Sequence, residues 1–309
     1  MSEAYESKIE GIINAAQVKI GQGIVVEEGV VITGKDGPAR QVILGDFCYI
    51  GRHTRIITPE FRLGDYSKLH AYSYAHGEKP MQIGRNCWIG GSTVLDSIGG
   101  LDIDDNVGIG AHSQIWTHIQ FGDIVEGCRF YSRKHMCLGK DAWFAGHCIV
   151  SPVRVGEKSM AMAGSVVTKD MLPNHVYAGV PAKDVTDKVG PQFESRTVQQ
   201  KADKLQGLVD AFTARHPEFK DQLLVITCPE ARRGGVCCFD VSRRTYTRTY
   251  SRAEVAFLKR HVPLVKFTPE DEPPFVVPQQ TVELLPDLSP TAGVNGPGSS
   301  DTKSCSPAR

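Results

Sequence analysis

The chain has 309 residues, of which 41% are hydrophobic, enough for one large domain and a smaller one. Its 35 basic and 35 acidic residues balance, so the overall charge favours neither a nucleic acid nor an anionic membrane as partner. There is no apolar run of about eighteen residues, and the segment 1–8 lacks the features of a secretory signal peptide. Nine cysteines are scattered without a CxxC pair. We therefore expect a cytoplasmic protein with reduced thiols and no membrane span.

After an N-terminal segment, 1–17, an aliphatic residue followed by Gly or Asp recurs about every twenty residues. These pairs begin at Leu44, Leu63, Ile83, Ile103, Leu138 and Val155. Further apolar residues follow at six-residue steps, which predicts three short strands in each coil of a stacked solenoid. The Gly, Asn and Asp residues after each step are expected at corners that need unusual backbone angles. No helical segment interrupts this pattern before about residue 190, so a parallel β-helix over 18–190 is favoured over an α/β fold.

The hexad pattern, with the closing stretches 161–170 and 177–183, resembles the hexapeptide-repeat acyltransferases, in particular the sugar and xenobiotic acetyltransferase branch. The resemblance covers about residues 18–187. It implies a left-handed β-helix, which the spacing alone does not decide. It also implies acetyl-CoA as acyl donor and a homotrimer whose sites lie between subunits.

One interruption breaks the repeat, because the step from Ile103 to Leu138 is far longer than a coil. The segment 118–137 is therefore predicted to loop out from a corner, where functional residues are common. His118, at the root of this loop, matches the position of the general base in the resembling family. A histidine there can remove the proton of an acceptor hydroxyl. Asp123 in the loop and Asp96, expected two coils earlier, are the candidate orienting carboxylates.

His112 and His147 share one phase of the coil and are expected to stack on adjacent turns. A two-histidine metal pair would need a third ligand, which the sequence does not reveal, so no metal is expected. His147 is kept as a second candidate for the general base.

The resemblance also places acetyl-CoA along the late coils, between neighbouring subunits. Small residues there let the ligand approach the backbone, and lysines after the last coil can meet its phosphates as point charges. The candidate donor-binding residues are Trp143, Ala145, Ala163, Gly164, Lys169 and Lys183.

The C-terminal third is predicted to form a small α+β domain over 195–270. Helical spacing covers 198–212, strands are expected at 223–228, 236–241, 246–250 and 264–267, and Ser251 with Glu254 forms a capping box before a second helix. The segment 271–309 is rich in Pro, Ser, Gly and Asp and is expected to be disordered.

Together these features favour an acetyltransferase that acts on a hydroxyl of a sugar, nucleotide sugar or glycan precursor. N-acetylation of an amino sugar is the nearest alternative. Two other classes remain open at this stage: a γ-carbonic-anhydrase-like metalloprotein and a non-catalytic β-helix scaffold.

Overall fold

The computed structural model describes residues 5–270 and 272–276. In it, the apolar residues that recur at six-residue steps form the interior of a parallel β-helix. Apolar residues one coil apart are direct partners in neighbouring strands: Ile50 lies on Leu69, Leu69 on Ile89, and Ile109 on Phe144. Their side chains are fully buried. Each coil therefore buries its inner face only against the next coil, and the prediction of a parallel β-helix is confirmed.

Three sheets form the faces of this helix. The first contains Lys8–Ile9, Val25–Val26, Tyr49–Ile50, Lys68–Leu69, Trp88–Ile89, Gly108–Ile109, Trp143–Phe144, Met160–Ala161, Val176–Ala178 and Lys183–Asp184. The second contains Ile12–Ile13, Val31–Thr33, Arg55–Ile57, Tyr74–His76, Val94–Asp96, Gln114–Ile115, Ile149–Val150 and Val166–Val167. The third contains Ala15–Ile20, Ala39–Leu44, Glu60–Leu63, Met81–Ile83, Leu101–Ile103 and Met136–Leu138. All pairings are parallel except that of Lys183–Asp184, which runs antiparallel to Val176–Ala178.

The first coil begins at Lys8, well before the boundary predicted at residue 18. Lys8–Ile9 pairs with Val25–Val26, and Ile12–Ile13 pairs with Val31–Thr33. The strand residues of this first coil are largely exposed, because no coil precedes it to cover them. The six-residue repeat of apolar residues is correspondingly weak there, which explains why the spacing did not reveal this coil.

The corners follow the sequence expectation at Asn86, Asn106 and Asp141, whose φ angles are +56°, +68° and +63°. The expectation is wrong for the glycines that follow the inward-facing residues. Gly110, for example, has no positive φ; a Cβ there would lie 2.5 Å from the backbone nitrogen of Gly146. Glycine is needed at this corner because adjacent coils approach closely.

The predicted loop is present between the second and third sheets. The chain leaves the coil after Gln114–Ile115, forms an antiparallel hairpin from His118–Gln120 and Tyr131–Arg133, and returns in the strand Met136–Leu138. Several large apolar side chains near the tip are exposed: Phe121, Ile124, Val125 and Phe130.

Beyond the last coil the chain forms α1 (Thr186–Val189), α2 (Val198–Arg215) and α3 (Arg252–His261), with 3₁₀ turns at Pro217–Phe219 and Pro229–Ala231. A four-stranded sheet contains Leu223–Ile226, Cys237–Asp240, Thr245–Tyr246 and Thr268–Pro269. The last strand therefore follows the predicted 264–267 rather than coinciding with it. Thr197 and Gln200 form a full capping box at α2, whereas the carboxylate of Glu254 at α3 accepts from Thr249 and Tyr250.

This C-terminal segment shares a hydrophobic cluster with the β-helix. Phe47 and Tyr66, from one corner of the coils, pack in the same cluster as Phe239 and Tyr246. Arg248 reinforces the contact, because its guanidinium donates to Asp65 Oδ2 at 2.6 Å. The segment is thus held to the coils by both apolar packing and buried charge.

The predicted tail, 271–309, lies outside the described residues except for 272–276. In the described part of the chain, no helix has the length and apolar character that crossing a membrane requires. The eight cysteines of that part are all free.

Candidate active site

His118 lies where the chain leaves the β-helix, and its imidazole is held by a carboxylate from the coil below. His118 Nδ1 is 2.8 Å from Asp96 Oδ2, and Asp96 is fully buried. A carboxylate can only accept a hydrogen bond, so Nδ1 carries the proton and donates it. The other ring nitrogen, Nε2, is then the lone-pair acceptor, as a general base requires.

The Asp96 carboxylate is enclosed by donors. Oδ2 also accepts from the Thr117 backbone N–H at 2.8 Å and from its hydroxyl at 2.6 Å, while Oδ1 accepts from the Ile98 N–H at 3.1 Å. Burial, the largest single influence, opposes ionisation, but the hydrogen bonds from His118, Thr117 and Ile98 outweigh it and hold the pKa of Asp96 below its ordinary value. Asp96 is therefore a fixed negative charge beneath the imidazole.

Aromatic rings flank this pair on the outer face of the second sheet. The centroid of Trp116 lies 6.0 Å from that of His118, in an edge-on arrangement, and 6.3 Å from that of His76. Burial lowers the pKa of the His76 imidazole, an effect that Asp96 opposes and His118 reinforces. A neutral second imidazole thus lies close to the proposed base.

Asp123, the orienting carboxylate predicted in the loop, is not brought to His118. Its Oδ1 accepts from the backbone N–H groups of Val125 and Glu126, at 2.8 and 3.3 Å, in an exposed turn. Such a contact stabilises the local turn. Asp96, the alternative weighed from the sequence, is the residue that contacts His118.

His147 stacks on His112, as the coil phase predicts, with ring centroids 4.9 Å apart. Both residues have positive φ angles at the corner between the first and second sheets. Among the described residues no carboxylate is recorded in contact with either ring. His147 therefore lacks the orienting partner that His118 has.

The candidate donor-binding residues occupy the late coils, and all but Lys169 lie away from the His118 corner. Trp143 is 46% exposed on the first sheet, and Ala145, Ala163 and Gly164 lie at the corner that leads to the second sheet. Space is open beside Gly164, where a Cβ would meet no atom within 4 Å. Lys169 and Lys183 are exposed after the last turns. His118 lies at the corner between the second and third sheets, which Lys169 shares two coils further along. Ala145, Ala163 and Gly164 lie at a different corner, so one chain does not bring them to His118.

Parts of the chain are similar in sequence to curated acetyltransferases. A galactoside O-acetyltransferase of Escherichia coli is 41% identical over 51 residues, 16% of this chain and 25% of the relative. A Schizosaccharomyces pombe protein with the name of a serine acetyltransferase is 31% identical over 98 residues, 31% of this chain and 35% of the relative. Parts of this chain are thus similar to acetyltransferases. The matches span about a quarter to a third of the length of these relatives, and no family model matches the chain.

Among solved structures, the polysialic acid O-acetyltransferase OatWY is similar at a TM-score of 0.42 and 16% identity, covering 62% of this chain and 93% of that one. The polySia-specific acetyltransferase NeuO gives a TM-score of 0.41 and 20% identity, covering 70% of this chain and 99% of that one. The resemblance to hexapeptide-repeat acyltransferases predicted from the hexads is thus confirmed by the curated relatives.

A second histidine–carboxylate pair in this chain was not predicted from the sequence. His135 Nε2 is 2.9 Å from Asp102 Oδ2, where the loop rejoins the third sheet. The hydrogen bonds that the His135 imidazole makes with Asp102, as donor to its carboxylate, and with Cys137 raise the pKa of His135 to about 9. The available signal was the coil register, which makes Asp102 and Cys137 direct neighbours.

Proposed function

We propose that this chain is an acetyl-CoA-dependent acetyltransferase that transfers an acetyl group to a hydroxyl of a sugar or glycan precursor. The observation that carries the proposal is the His118–Asp96 pair at the root of an external loop. The buried Asp96 carboxylate holds Nδ1 of His118, which leaves Nε2 free to accept a proton. The names of the curated relatives support acetyl transfer, and the galactoside enzyme supports oxygen as the acceptor atom.

The reaction follows from the tautomer of His118 that the contact with Asp96 selects. Nε2 accepts the proton of the acceptor hydroxyl while its oxygen attacks the thioester carbonyl of the donor. The new C–O bond forms, the C–S bond breaks, and the departing thiolate receives the proton from Nε2. Asp96 stabilises the imidazolium that exists between these two proton transfers, in the role that a buried aspartate has beneath a catalytic histidine.

The donor would lie along the late coils, beside Ala145, Ala163 and Gly164, with Lys169 and Lys183 near its phosphates. Ala145, Ala163 and Gly164 belong to the corner between the first and second sheets, which His118 does not share, so a second copy is needed to bring donor and base together. The exposed apolar loop tip supports this arrangement, since Phe121 is 101% exposed and Val125 89% exposed in the single chain. A homotrimer with sites between subunits meets both requirements.

The test is acceptor-dependent release of thiol from acetyl-CoA across a panel of sugars, amino sugars and nucleotide sugars, with the product mass identifying the acetylated atom. We expect His118→Ala to lower kcat by about 10²–10⁴-fold, the usual contribution of a general base. His147→Ala is the matched control, because it removes another corner histidine, and it should retain most activity.

Equal thiol release by wild type and His118→Ala would refute the assignment of the base, and a collapse in His147→Ala alone would transfer the role to His147. Acetylation of an amine rather than a hydroxyl would refute the choice of acceptor. Light scattering should give the mass of three chains; an active monomer would refute the shared site.

A further inference from the structure

The third sheet carries a cluster of metal-ligating side chains where the loop returns to the β-helix. Asp102 and Cys137 are direct partners in adjacent parallel strands, so their side chains project from the same outer face. His135 precedes Cys137 by two positions. The potential ligand atoms of these three residues all lie within 4.8 Å of one another.

The carboxylate of this cluster is held in place before any ligand arrives. Asp102 is 4% exposed, and its Oδ1 accepts from the Gln82 side-chain amide at 3.0 Å. Its Oδ2 faces His135 Nε2 at 2.9 Å. Gln82 lies one coil below in the same ladder, directly opposite Asp102. A hydrogen-bonded outer partner of this kind orients a ligating carboxylate and tunes its metal affinity.

Solvent can reach the other side of the cluster, because His135 and Cys137 are exposed. We propose that Asp102, His135 and Cys137 form a binding site for a zinc-like divalent cation, with the fourth position open to water. One thiolate, one imidazole and one carboxylate suit Zn²⁺, and three protein ligands with an open position are common in zinc enzymes. With bond lengths near 2.0–2.3 Å, a tetrahedral site needs ligand atoms roughly 3.3–3.8 Å apart, so small side-chain rotations suffice.

The site would act on the loop that carries His118. His118 and Arg133 are partners in the hairpin, and His135 follows Arg133 by two residues. A cation held by His135, Cys137 and Asp102 would join the returning strand of the loop to the coil below it. The absence of metal expected from the sequence rested on histidine spacing alone, which does not place Asp102 beside Cys137.

Cobalt(II) is the probe, because a thiolate ligand gives it a charge-transfer absorption in the near ultraviolet. The full-length protein, freed of metal by a chelator, is titrated with Co²⁺ and then with Zn²⁺. We expect one Co²⁺ per chain, the thiolate band, and its loss when Zn²⁺ displaces the cobalt. Cys137→Ser should abolish the band, and His135→Ala should weaken binding at least tenfold, since even outer-partner losses cost about 10–100-fold.

Two controls separate this site from other exposed groups. Cys228→Ser removes another exposed free cysteine, and His175→Ala removes another exposed histidine paired with a carboxylate, at 2.6 Å from Asp184. Both controls should bind Co²⁺ as wild type does. Binding below one ion per chain, or a thiolate band that persists in Cys137→Ser, would overturn the proposal. Because the assay measures metal directly, its outcome is independent of whether the chain transfers acetyl groups.

Discussion

Asp96→Asn tests the core of the proposed mechanism, because it keeps the size of the side chain and removes its charge. Both oxygens of Asp96 accept hydrogen bonds from N–H groups, those of His118 and Thr117 on one side and Ile98 on the other. An asparagine in either orientation therefore turns an NH₂ group toward an N–H donor. If the NH₂ faces His118, the ring must take the other tautomer, with Nε2 protonated and unable to accept the substrate proton.

If the amide oxygen faces His118 instead, the geometry survives but the imidazolium loses its negative partner. Either orientation lowers kcat, by about 10²–10⁴-fold, which corresponds to roughly 2.7–5.4 kcal/mol of transition-state stabilisation. KM should change little, because Asp96 is buried beneath the imidazole and does not reach the acceptor. The assay is initial-rate thiol release over a range of acceptor concentrations, with the matched variant Asp123→Asn beside it.

Asp123→Asn should keep near-wild-type kcat, since Asp123 Oδ1 contacts only turn amides among the recorded hydrogen bonds. Full activity in Asp96→Asn together with a collapse in Asp123→Asn would refute the reasoning and restore the loop carboxylate as the orienting group. Loss of activity in both variants would instead indicate that the loop conformation, rather than Asp96, controls the reaction.

Asp96→Asn should also lower the free energy of unfolding by an amount that depends on pH. Hydrogen bonds hold the pKa of Asp96 below its ordinary value, so the ionised form stabilises the fold above the unfolded pKa of about 3.9. That contribution is lost as the pH falls through the lower folded value. Asp96→Asn should therefore cost about 1.5–3 kcal/mol at pH 7, and the difference from wild type should shrink below about pH 4, as measured by urea unfolding. A difference that does not change with pH would contradict this account.

Three further substitutions, the first with Arg40→Ala as its control, test the packing by urea unfolding. Arg248→Ala removes the shorter of two arginine contacts to the nearly buried Asp65, which keeps Arg85 at 3.4 Å, and should cost about 1.5–3 kcal/mol. Arg40→Ala, in an exposed pair, should cost under about 1 kcal/mol, and equal costs would contradict the buried network. Phe144→Ala empties a fully buried position between coils and should cost about 3–5 kcal/mol, so a loss below about 1 kcal/mol would argue against the coil register. Gly207→Ala should stabilise α2 by about 1 kcal/mol, because its Cβ would meet no atom within 4 Å; destabilisation would show that the helix surface is covered.

The parallel β-helix was predictable because stacked coils place residues one coil apart in direct contact, and this contact requires apolar residues to recur at fixed steps. Leu69 must lie on Ile50 and beneath Ile89, so the sequence repeats the same residue class at each of these positions. The first coil, which begins at Lys8, was not predicted because its strands are largely exposed and its repeat of apolar residues is weak. The glycine corners were located correctly but for the wrong reason, since Gly110 is required by close approach of coils rather than by its φ angle.

The orienting carboxylate was harder to predict, because closeness in sequence favoured Asp123. In a solenoid the neighbours of a residue lie one coil away, and Asp96 precedes His118 by 22 positions, about one coil. The interrupted repeat shows that the chain leaves the coil near His118, but it does not show which way the imidazole turns, so its contact with Asp96 could not be fixed from the spacing. The docking of Phe239 and Tyr246 on Phe47 and Tyr66 was unpredictable for a related reason, since no periodicity links the two segments.

At each end of the loop a histidine of the loop contacts an aspartate of the coil, and this arrangement connects the proposed base with the proposed metal site. Asp96 ends a strand of the second sheet and holds His118, where the loop leaves; Asp102 lies in the next strand of the same coil and holds His135, where it returns. The hairpin between the roots pairs His118 with Arg133. A cation that fixed His135 would therefore restrict the segment that positions His118. Metal-loaded protein should accordingly show a higher kcat than chelated protein at unchanged donor affinity, and Cys137→Ser should remove that difference.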